Sequence, residues 1–380
     1  MSLEYNMKTS FKLFVILTGI LICRPVFSQD NGLVLKDMFK DAFYIGTAIS
    51  YRQVSGEDQK TLPLLEKHFN SITSENMMKW GPIHPEPDRY NFVSADQFVQ
   101  LGKKLNAFII GHTLVWHQQT PKWVYQNAQG EILSKAGLLE RMENHIETLV
   151  GRYKGQVDGW DVVNEVFEDD GTYRESEWYQ VTGRDFIFHA FQKAHATDPE
   201  VELYYNDYNL WKPEKREAAI SLAKELREKG LRVDGIGMQG HYMLDSPPVE
   251  MIEASIIAIS NAGFKVMITE MDVDVLPRPR ASEGADLNKN YALDEKFNPY
   301  KDGLPEEVAD KFAKRYAEIF SVFYKHRDKI ERVTLWGLHD GASWLNNWPV
   351  RGRTNYPLLF DRDFKEKEEV LKAISNQIMR

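Results

Sequence analysis

Several short apolar segments of this chain end in polar or aromatic side chains, which are the residues best suited to chemistry. Seven segment ends carry such pairs: Glu75 and Asn76, His112 and Trp116, Asn164 and Glu165, Asn206 and Asp207, Gln239 and His241, Glu270 and Asp272, Trp336 and His339. Tryptophans lie at or just past these ends, at positions Trp80, Trp116, Trp336, Trp344 and Trp348, although about half of them could be ordinary core residues. Paired carboxylates with aromatic platforms are what glycoside cleavage uses, because one carboxyl protonates the leaving oxygen while the other attacks or activates water.

Other catalytic chemistries find little support. Cys23 is the only cysteine, so we expect no disulfide, thiol catalysis or cysteine metal site in the folded domain. His112 and His117 would face opposite sides of a strand, and only His241 has acidic neighbours on an adjacent segment. The stretch "GMQGH" from Gly237 offers no serine for a nucleophile elbow. We therefore predict neither a metal site nor a cofactor.

Eight β-like segments alternate with helical patterns and would have to position these residues. The segments begin at Phe43, His68, Asn106, Val157, Val201, Val233, Lys265 and Arg332. Most are nearly continuous apolar runs, as expected of parallel strands covered on both faces. The alternation predicts an α/β fold, a (β/α)8 TIM barrel forming a single catalytic domain, with the polar strand ends at one rim. A doubly wound open sheet is the alternative, but "FYIGTAIS" lacks the expected glycine-rich phosphate turn.

The N-terminal segment differs from the rest of the chain. Lys8 precedes the apolar run "FKLFVILTGILIC", and Lys12 lies at its start. The segment "RPVFSQD" follows the run. This pattern predicts a signal peptide over residues 1–28, with a leader before Met7, and leaves residues 29–380 for the (β/α)8 domain. The protein would then be exported, either secreted or periplasmic, with lipidation at Cys23 as an alternative. A long polar connection, residues 274–304, follows the seventh segment, and the sequence assigns it no role.

The charge of the chain limits its partners. The net charge is −9, and it becomes −11 without residues 1–28, which carry three basic groups and one acidic group. Such a protein is a poor candidate for binding nucleic acid, or anionic membrane after signal cleavage, whereas a neutral substrate remains suitable. The sequence leaves the oligomeric state undetermined.

The sequence resembles the endo-β-1,4-xylanases of glycoside hydrolase family 10 from about Leu33 to Ile378. The matching stretches are "TSENMMKW" from Thr73, "GHTLVWHQQTPKW" from Gly111, "WDVVNE" from Trp160, "YNDYN" from Tyr205, "GMQGHY" from Gly237, "ITEMD" from Ile268, "WGLHDGASWL" from Trp336 and "RGRTNYPLLFD" from Arg351. The resemblance implies that xylan or xylo-oligosaccharides are the substrates. One departure is Val166, where the family often has alanine.

The resemblance also implies roles for individual residues. Glu165 would be the general acid/base and Glu270 the nucleophile of a retaining enzyme, with carboxyls about 5–5.5 Å apart. Asn164 would bind the 2-hydroxyl of the sugar being cleaved, and Tyr208 would be a platform on the leaving-group side. The positions around the glycone-side sugars would be Glu75, Asn76, Lys79, His112, Trp116, Gln119, Gln239, His241, Trp336 and Trp344.

Two geometric expectations follow from this assignment. First, Asp272, His241 and Glu270 should form a hydrogen-bonded chain that keeps Glu270 charged. Asp272 and Glu270 are two residues apart and so face the same side of their strand, and His241 ends the neighbouring strand. Second, adjacent residues of a regular strand face opposite sides. Asn164 and Glu165 can therefore touch one sugar only if the strand bulges or becomes irregular there.

Two alternatives remain at this stage. The first is a barrel enzyme that cuts β-1,4-glucan or mixed-linkage glucan, in which Trp336 and Trp344 would have to leave room for a hydroxymethyl group. The second is a polysaccharide-binding protein without catalysis, for which the intact Glu165 and Glu270 would serve no purpose.

Overall fold

Eight parallel strands close into a barrel in the computed structural model, which describes residues 32–279 and 291–379 and places the fold from Leu33 onward. The nine strand segments in these ranges, of which β6 and β7 are two parts of one barrel strand, are β1 (Tyr44–Ile49), β2 (Ser71–Ser74), β3 (Phe108–Val115), β4 (Gly159–Asn164), β5 (Glu202–Asp207), β6 (Gly235–Met238), β7 (His241–Met243), β8 (Lys265–Asp274) and β9 (Ile330–Leu335). Each of β1 to β6 pairs with its neighbour in sequence, β6 pairs with β8, and β9 joins β8 to β1. The predicted (β/α)8 TIM barrel is confirmed, and the open-sheet alternative is wrong.

Helices follow the strands and cover the outside of the barrel. They are α1 (Leu35–Met38), α2 (Tyr51–Val54), α3 (Leu62–His68), α4 (Trp80–Ile83), α5 (Val93–Leu105), α6 (Lys135–Arg152), α7 (Glu177–Thr182), α8 (Asp185–Thr197), α9 (Pro213–Glu228), α10 (Val249–Asn261), α11 (Glu306–Lys325) and α12 (Glu368–Ile378). Short 3-10 turns span Gln59–Thr61, Lys122–Val124, Glu295–Phe297, Asp340–Ala342 and Trp344–Asn346. The apolar stripe of α6 is buried as its sequence periodicity predicts, and Ser134 caps this helix by accepting a hydrogen bond from Gly137 N.

The sixth predicted strand is divided in two. β6 ends at Met238, and β7 resumes at His241 and pairs with the end of β8. Gly240 lies between them with φ +84, a left-handed conformation that glycine adopts without strain. The interruption places Gln239 and His241 at the barrel rim, where the next strands end.

Small and large residues alternate in the barrel wall. A Cβ on Gly111 would lie 2.2 Å from the ring of Trp160, and a Cβ on Gly159 would lie 2.4 Å from the ring of Tyr204. Both aromatic side chains are fully buried, so the glycines provide the space that these rings fill. Trp160 and Tyr204 belong to different buried clusters, so the glycines provide space on both faces of the barrel wall.

Some predictions fall outside the described part of the chain. The signal peptide of residues 1–28, the leader before Met7 and the boundary at residue 29 lie there, as do residues 280–290 of the long connection. Across residues 32–279 and 291–379, no helix combines the length and the apolar character needed to span a membrane.

Candidate active site

A cleft opens at the carboxyl ends of the strands, with a cavity volume of about 170 Å³. Thirteen residues line it: Glu75, Asn76, Lys79, His112, Trp116, Gln119, Asn164, Glu165, Gln239, His241, Glu270, Trp336 and Trp344. All of them were named from the sequence as site residues. The structure therefore brings the ends of β2, β3, β4, β6, β8 and β9 together around one space, as the barrel predicts.

The end of β4 is irregular, which explains how two adjacent residues reach the same cleft. The pairing of β4 with β5 shifts register between Asp161 and Val163. Glu165 then adopts a left-handed backbone with φ 59, and its N–H donates to Asn206 O at 2.9 Å. Asn164 and Glu165 consequently both line the cleft. The expectation that the strand must bulge or stop being regular here is confirmed.

The Glu165 carboxylate is buried and accepts two hydrogen bonds. Trp116 Nε1 donates to Glu165 Oε2 and Gln239 Nε2 donates to Glu165 Oε1, both at 2.8 Å. Burial raises the pKa of Glu165, and the negative charges of Asp207 and Glu270 raise it further, outweighing the two hydrogen bonds. Glu165 is thus biased toward the protonated form that a general acid requires.

The Glu270 carboxylate, also buried in the cleft, is shifted the opposite way. Asn206 Nδ2 donates to Glu270 Oε1 at 2.8 Å and also lies 2.9 Å from the Asn164 amide. Burial alone would raise the pKa of Glu270, but the hydrogen bond from His241 and the charges of the surrounding histidines and Lys79 lower it overall. Glu270 is therefore held in the ionised form that a nucleophile needs.

His241 connects Glu270 to a second carboxylate. His241 Nδ1 lies 3.0 Å from Asp272 Oδ1, and His241 Nε2 lies 3.3 Å from Glu270 Oε2. Burial would lower the pKa of His241, yet Asp272 and Glu270 raise it to about 9. Asp272 is itself fixed by Trp344, whose Nε1 donates to Asp272 Oδ2 at 2.7 Å. The predicted Asp272–His241–Glu270 chain is present in the structure.

Indoles form the walls of the cleft. Lys79 Nζ lies 4.8 Å from the centre of the Trp116 ring and 5.8 Å from that of Trp336. Trp344 stacks on Trp348 with 4.8 Å between ring centres, so Trp348 supports the wall from behind. The fifth tryptophan, Trp80, instead stacks on buried His145 at 3.9 Å and belongs to the core.

Tyr208 lies outside the residues that line the cleft. Its hydroxyl accepts a hydrogen bond from Arg174 at 2.6 Å, and Lys215 Nζ lies 3.4 Å from its ring centre. Tyr208 is 6% exposed, so its assignment as a sugar platform stays a prediction.

Three residues near the carboxylates were not assigned to the site from the sequence. Asn206 and Asp207 were noted only as polar strand ends, and nothing in the sequence singled out Arg174. Arg174 Nε donates to the backbone oxygen of Glu165 at 3.1 Å, and Asp207 forms a fully buried ion pair with Lys215 at 2.9 Å. The motif "YNDYN" contains Asn206 and Asp207 and could have indicated them, whereas Arg174 lies in a loop whose sequence shows no regular pattern.

The side chains that could bind a metal ion do not cluster in the described part of the chain. Within the described ranges, no group of three or more histidine, cysteine, aspartate or glutamate side chains is arranged to hold a metal ion. The prediction that the protein works without a metal or cofactor rests on the sequence and is left as a prediction.

Known proteins are similar to this chain over almost its full length. Endo-1,4-beta-xylanase A of Xylanibacter ruminicola is 43% identical over 356 residues, which cover 94% of this chain and 96% of the relative. Beta-1,4-xylanase of Dictyoglomus thermophilum is 42% identical over 336 residues, covering 88% of each protein. The solved structure of a GH10 endoxylanase from a sugarcane soil metagenome has a TM-score of 0.85 at 45% identity, covering 90% of this chain and 99% of that one. A second solved structure, a mutant in complex with xylotriose, has a TM-score of 0.78 at 36% identity, with coverage of 90% and 99%. The sequence model of Glycosyl hydrolase family 10 matches residues 34–377, and this chain therefore belongs to that family.

Proposed function

We propose that this protein is a retaining endo-β-1,4-xylanase with Glu165 as general acid/base and Glu270 as nucleophile. The observation that carries the proposal is that two buried carboxyls face one cleft with pKa values shifted in opposite directions, that of Glu165 upward and that of Glu270 downward. Opposed shifts of this kind assign an acid and an ionised carboxylate. The retaining course, with that carboxylate as nucleophile, is what membership of Glycosyl hydrolase family 10 implies.

The reaction proceeds in two steps. Glu165 donates its proton to the leaving glycosidic oxygen while a Glu270 oxygen attacks the anomeric carbon, which gives a covalent glycosyl-enzyme. Glu165, now ionised, takes a proton from water, and that water displaces Glu270 to release a sugar of unchanged configuration. Asn206 contacts both Glu270 and Asn164, so it couples the position of the nucleophile to the group assigned to the sugar 2-hydroxyl.

Xylan is the proposed substrate because the relatives with which this chain shares its family carry the name xylanase. Trp336 and Trp344 both line the compact cleft, which suits a pyranose without a hydroxymethyl group. A glucan-cleaving enzyme is the competing function on the same barrel. Export is proposed from the sequence of residues 1–28 alone, and fractionating a culture of the native host would test it.

Reducing-sugar release from xylan, carboxymethyl cellulose and mixed-linkage glucan tests the substrate. We expect release mainly from xylan, and none from a Glu270→Gln control. NMR of the first products should show the β-anomer before mutarotation. Preferential cleavage of the glucans would favour the competing enzyme, whereas no release from any polymer would favour a binding protein.

A further inference from the structure

A second, wider groove adjoins the cleft on the side of Glu75 and Asn76. Its volume is about 1070 Å³, and the two residues line both spaces. The far wall consists of α2, with Tyr51 and Arg52, together with the start of α5. A polysaccharide chain that leaves the cleft past Glu75 must therefore enter this groove.

The lining of this groove is suited to sugars. Tyr51 is 51% exposed, so its ring is available to a sugar, whereas Tyr90 is stacked between Phe92 at 5.0 Å and His84 at 3.8 Å between ring centres. Hydroxyl and amide side chains accompany them: Ser50, Ser55, Asn91, Ser94 and Gln97. Aromatic faces with a few polar groups recur in carbohydrate sites, where rings cover the apolar sugar face and polar groups fix its orientation.

Arg52 provides a positive charge in this groove. The groove lining contains two charged residues, Arg52 and Glu75. Among the described residues, no carboxylate forms an ion pair with the exposed Arg52. The neighbouring carboxylate of Asp58 is engaged elsewhere, because it accepts from Gln53 Nε2 at 3.4 Å and lies 3.9 Å from His339 Nε2.

Lys79, the other cation near this groove, already has carboxylates around it. Burial lowers the pKa of Lys79 overall, and the carboxylates of Glu270, Glu75 and Glu165 oppose this shift. Arg52 has no such set of carboxylates, so its guanidinium can pair with an incoming anion. A planar guanidinium matches a carboxylate in a bidentate geometry.

We propose that this groove binds a glycone-side stretch of xylan that carries a uronic acid substituent, with Arg52 pairing with the substituent carboxylate. This inference rests on the proposed function and specifies which form of xylan the enzyme prefers. An unsubstituted xylan backbone is neutral and gains nothing specific from a guanidinium. The chain carries a net charge of −9 and repels acidic polymers as a whole, so a local cation is what allows an acidic substituent to bind.

The experiment compares two polymers that differ in charge alone. One is glucuronoxylan, and the other is the same material after carbodiimide activation and borohydride reduction of its carboxyls to neutral alcohols. We expect Arg52→Gln to lower kcat/KM about fivefold on the acidic polymer, as for one exposed ion pair. The variant should cleave the reduced polymer and linear xylohexaose like the wild type, and Arg52→Lys should keep part of the preference.

Controls separate this inference from the proposed function. Arg89→Gln serves as the matched variant, because Arg89 pairs with Glu86 at 2.7 Å and is absent from the groove lining. An equal effect of Arg52→Gln on both polymers, or no effect on either, would overturn the role of Arg52 while leaving xylanase activity intact. If the wild type failed to cleave xylohexaose at all, the proposed function itself would fail.

Discussion

His241 Nε2 lies 3.3 Å from Glu270 Oε2, and this contact joins a histidine with a raised pKa to a carboxylate with a lowered pKa. Each group stabilises the charged form of the other. Because the pKa of His241 rises from 6.5 to about 9, its contribution to stability is fully present below pH 6.5 and is lost as the pH rises through about 9.

Replacing His241 should therefore change how activity depends on pH. In His241→Asn, Glu270 loses a charged hydrogen-bond partner, so its pKa should rise and the acidic limb of kcat/KM should move to higher pH. Activity at the optimum should fall about tenfold, as expected for one lost charge-assisted hydrogen bond. Initial rates on an aryl xylobioside between pH 4 and 10 provide the measurement. His189→Asn, which alters a histidine paired with Glu143 between helices, should leave both limbs in place. An unmoved acidic limb in His241→Asn would show that the chain does not control Glu270.

Asp207 should control the alkaline limb through Glu165. Burial is the main reason for the raised pKa of Glu165, and the charge of Asp207 comes next, ahead of that of Glu270. Asp207→Asn should lower the pKa of Glu165, so that the alkaline limb of xylan hydrolysis moves to lower pH. The first step on aryl xylosides with good leaving groups should change little, since it needs no acid. The variant should also lose about 3 kcal/mol of stability, because Lys215 loses its buried partner.

Asp169→Asn provides a matched control for Asp207→Asn. Asp169 also approaches Lys215, at 3.6 Å, but it pairs with Lys212 at a partly exposed position and does not appear among the groups that shift Glu165. If both variants moved the alkaline limb equally, the effect would come from Lys215 and the assignment to Asp207 would be wrong.

Alanine variants should separate the roles of the two carboxylates. Glu270→Ala should abolish turnover of every substrate, because no other group can form the covalent intermediate. Glu165→Ala should slow xylan hydrolysis about 10²- to 10⁴-fold. On aryl xylosides with good leaving groups it should spare the first step and slow the second, and azide should restore turnover as a glycosyl azide. Pre-steady-state release of the aryl group distinguishes the two steps, and equal losses in both variants on all substrates would contradict the assignment.

The sequence was most informative where the fold repeats a simple pattern. The apolar runs located all eight barrel strands, and their polar ends gave ten of the thirteen residues that line the cleft, since parallel strands deliver their carboxyl ends to one rim. Of the other three, Trp344 was noted just past a strand end, and Lys79 and Gln119 came only from the family resemblance. The break at Gly240 and the ion pair of Asp207 with Lys215 were missed, because each depends on contacts between elements distant in sequence. The groove beside Arg52 was missed for the same reason, as it combines loops after different strands.

The left-handed backbone of Glu165 leads to a prediction about stability. A residue with a Cβ pays roughly 1 kcal/mol or more for this conformation, which glycine avoids. Glu165→Gly should therefore be as stable as Glu165→Ala, or more stable by up to about 1 kcal/mol, despite the greater entropy of glycine in the unfolded chain. Glu270 lies within the extended strand β8, so there the order should reverse, with alanine more stable by about 0.5–1 kcal/mol. Urea unfolding of the four variants measures both differences. The same order at both positions would mean that Glu165 is not held in a left-handed turn, and the shared placement of Asn164 and Glu165 in the cleft would then need another explanation.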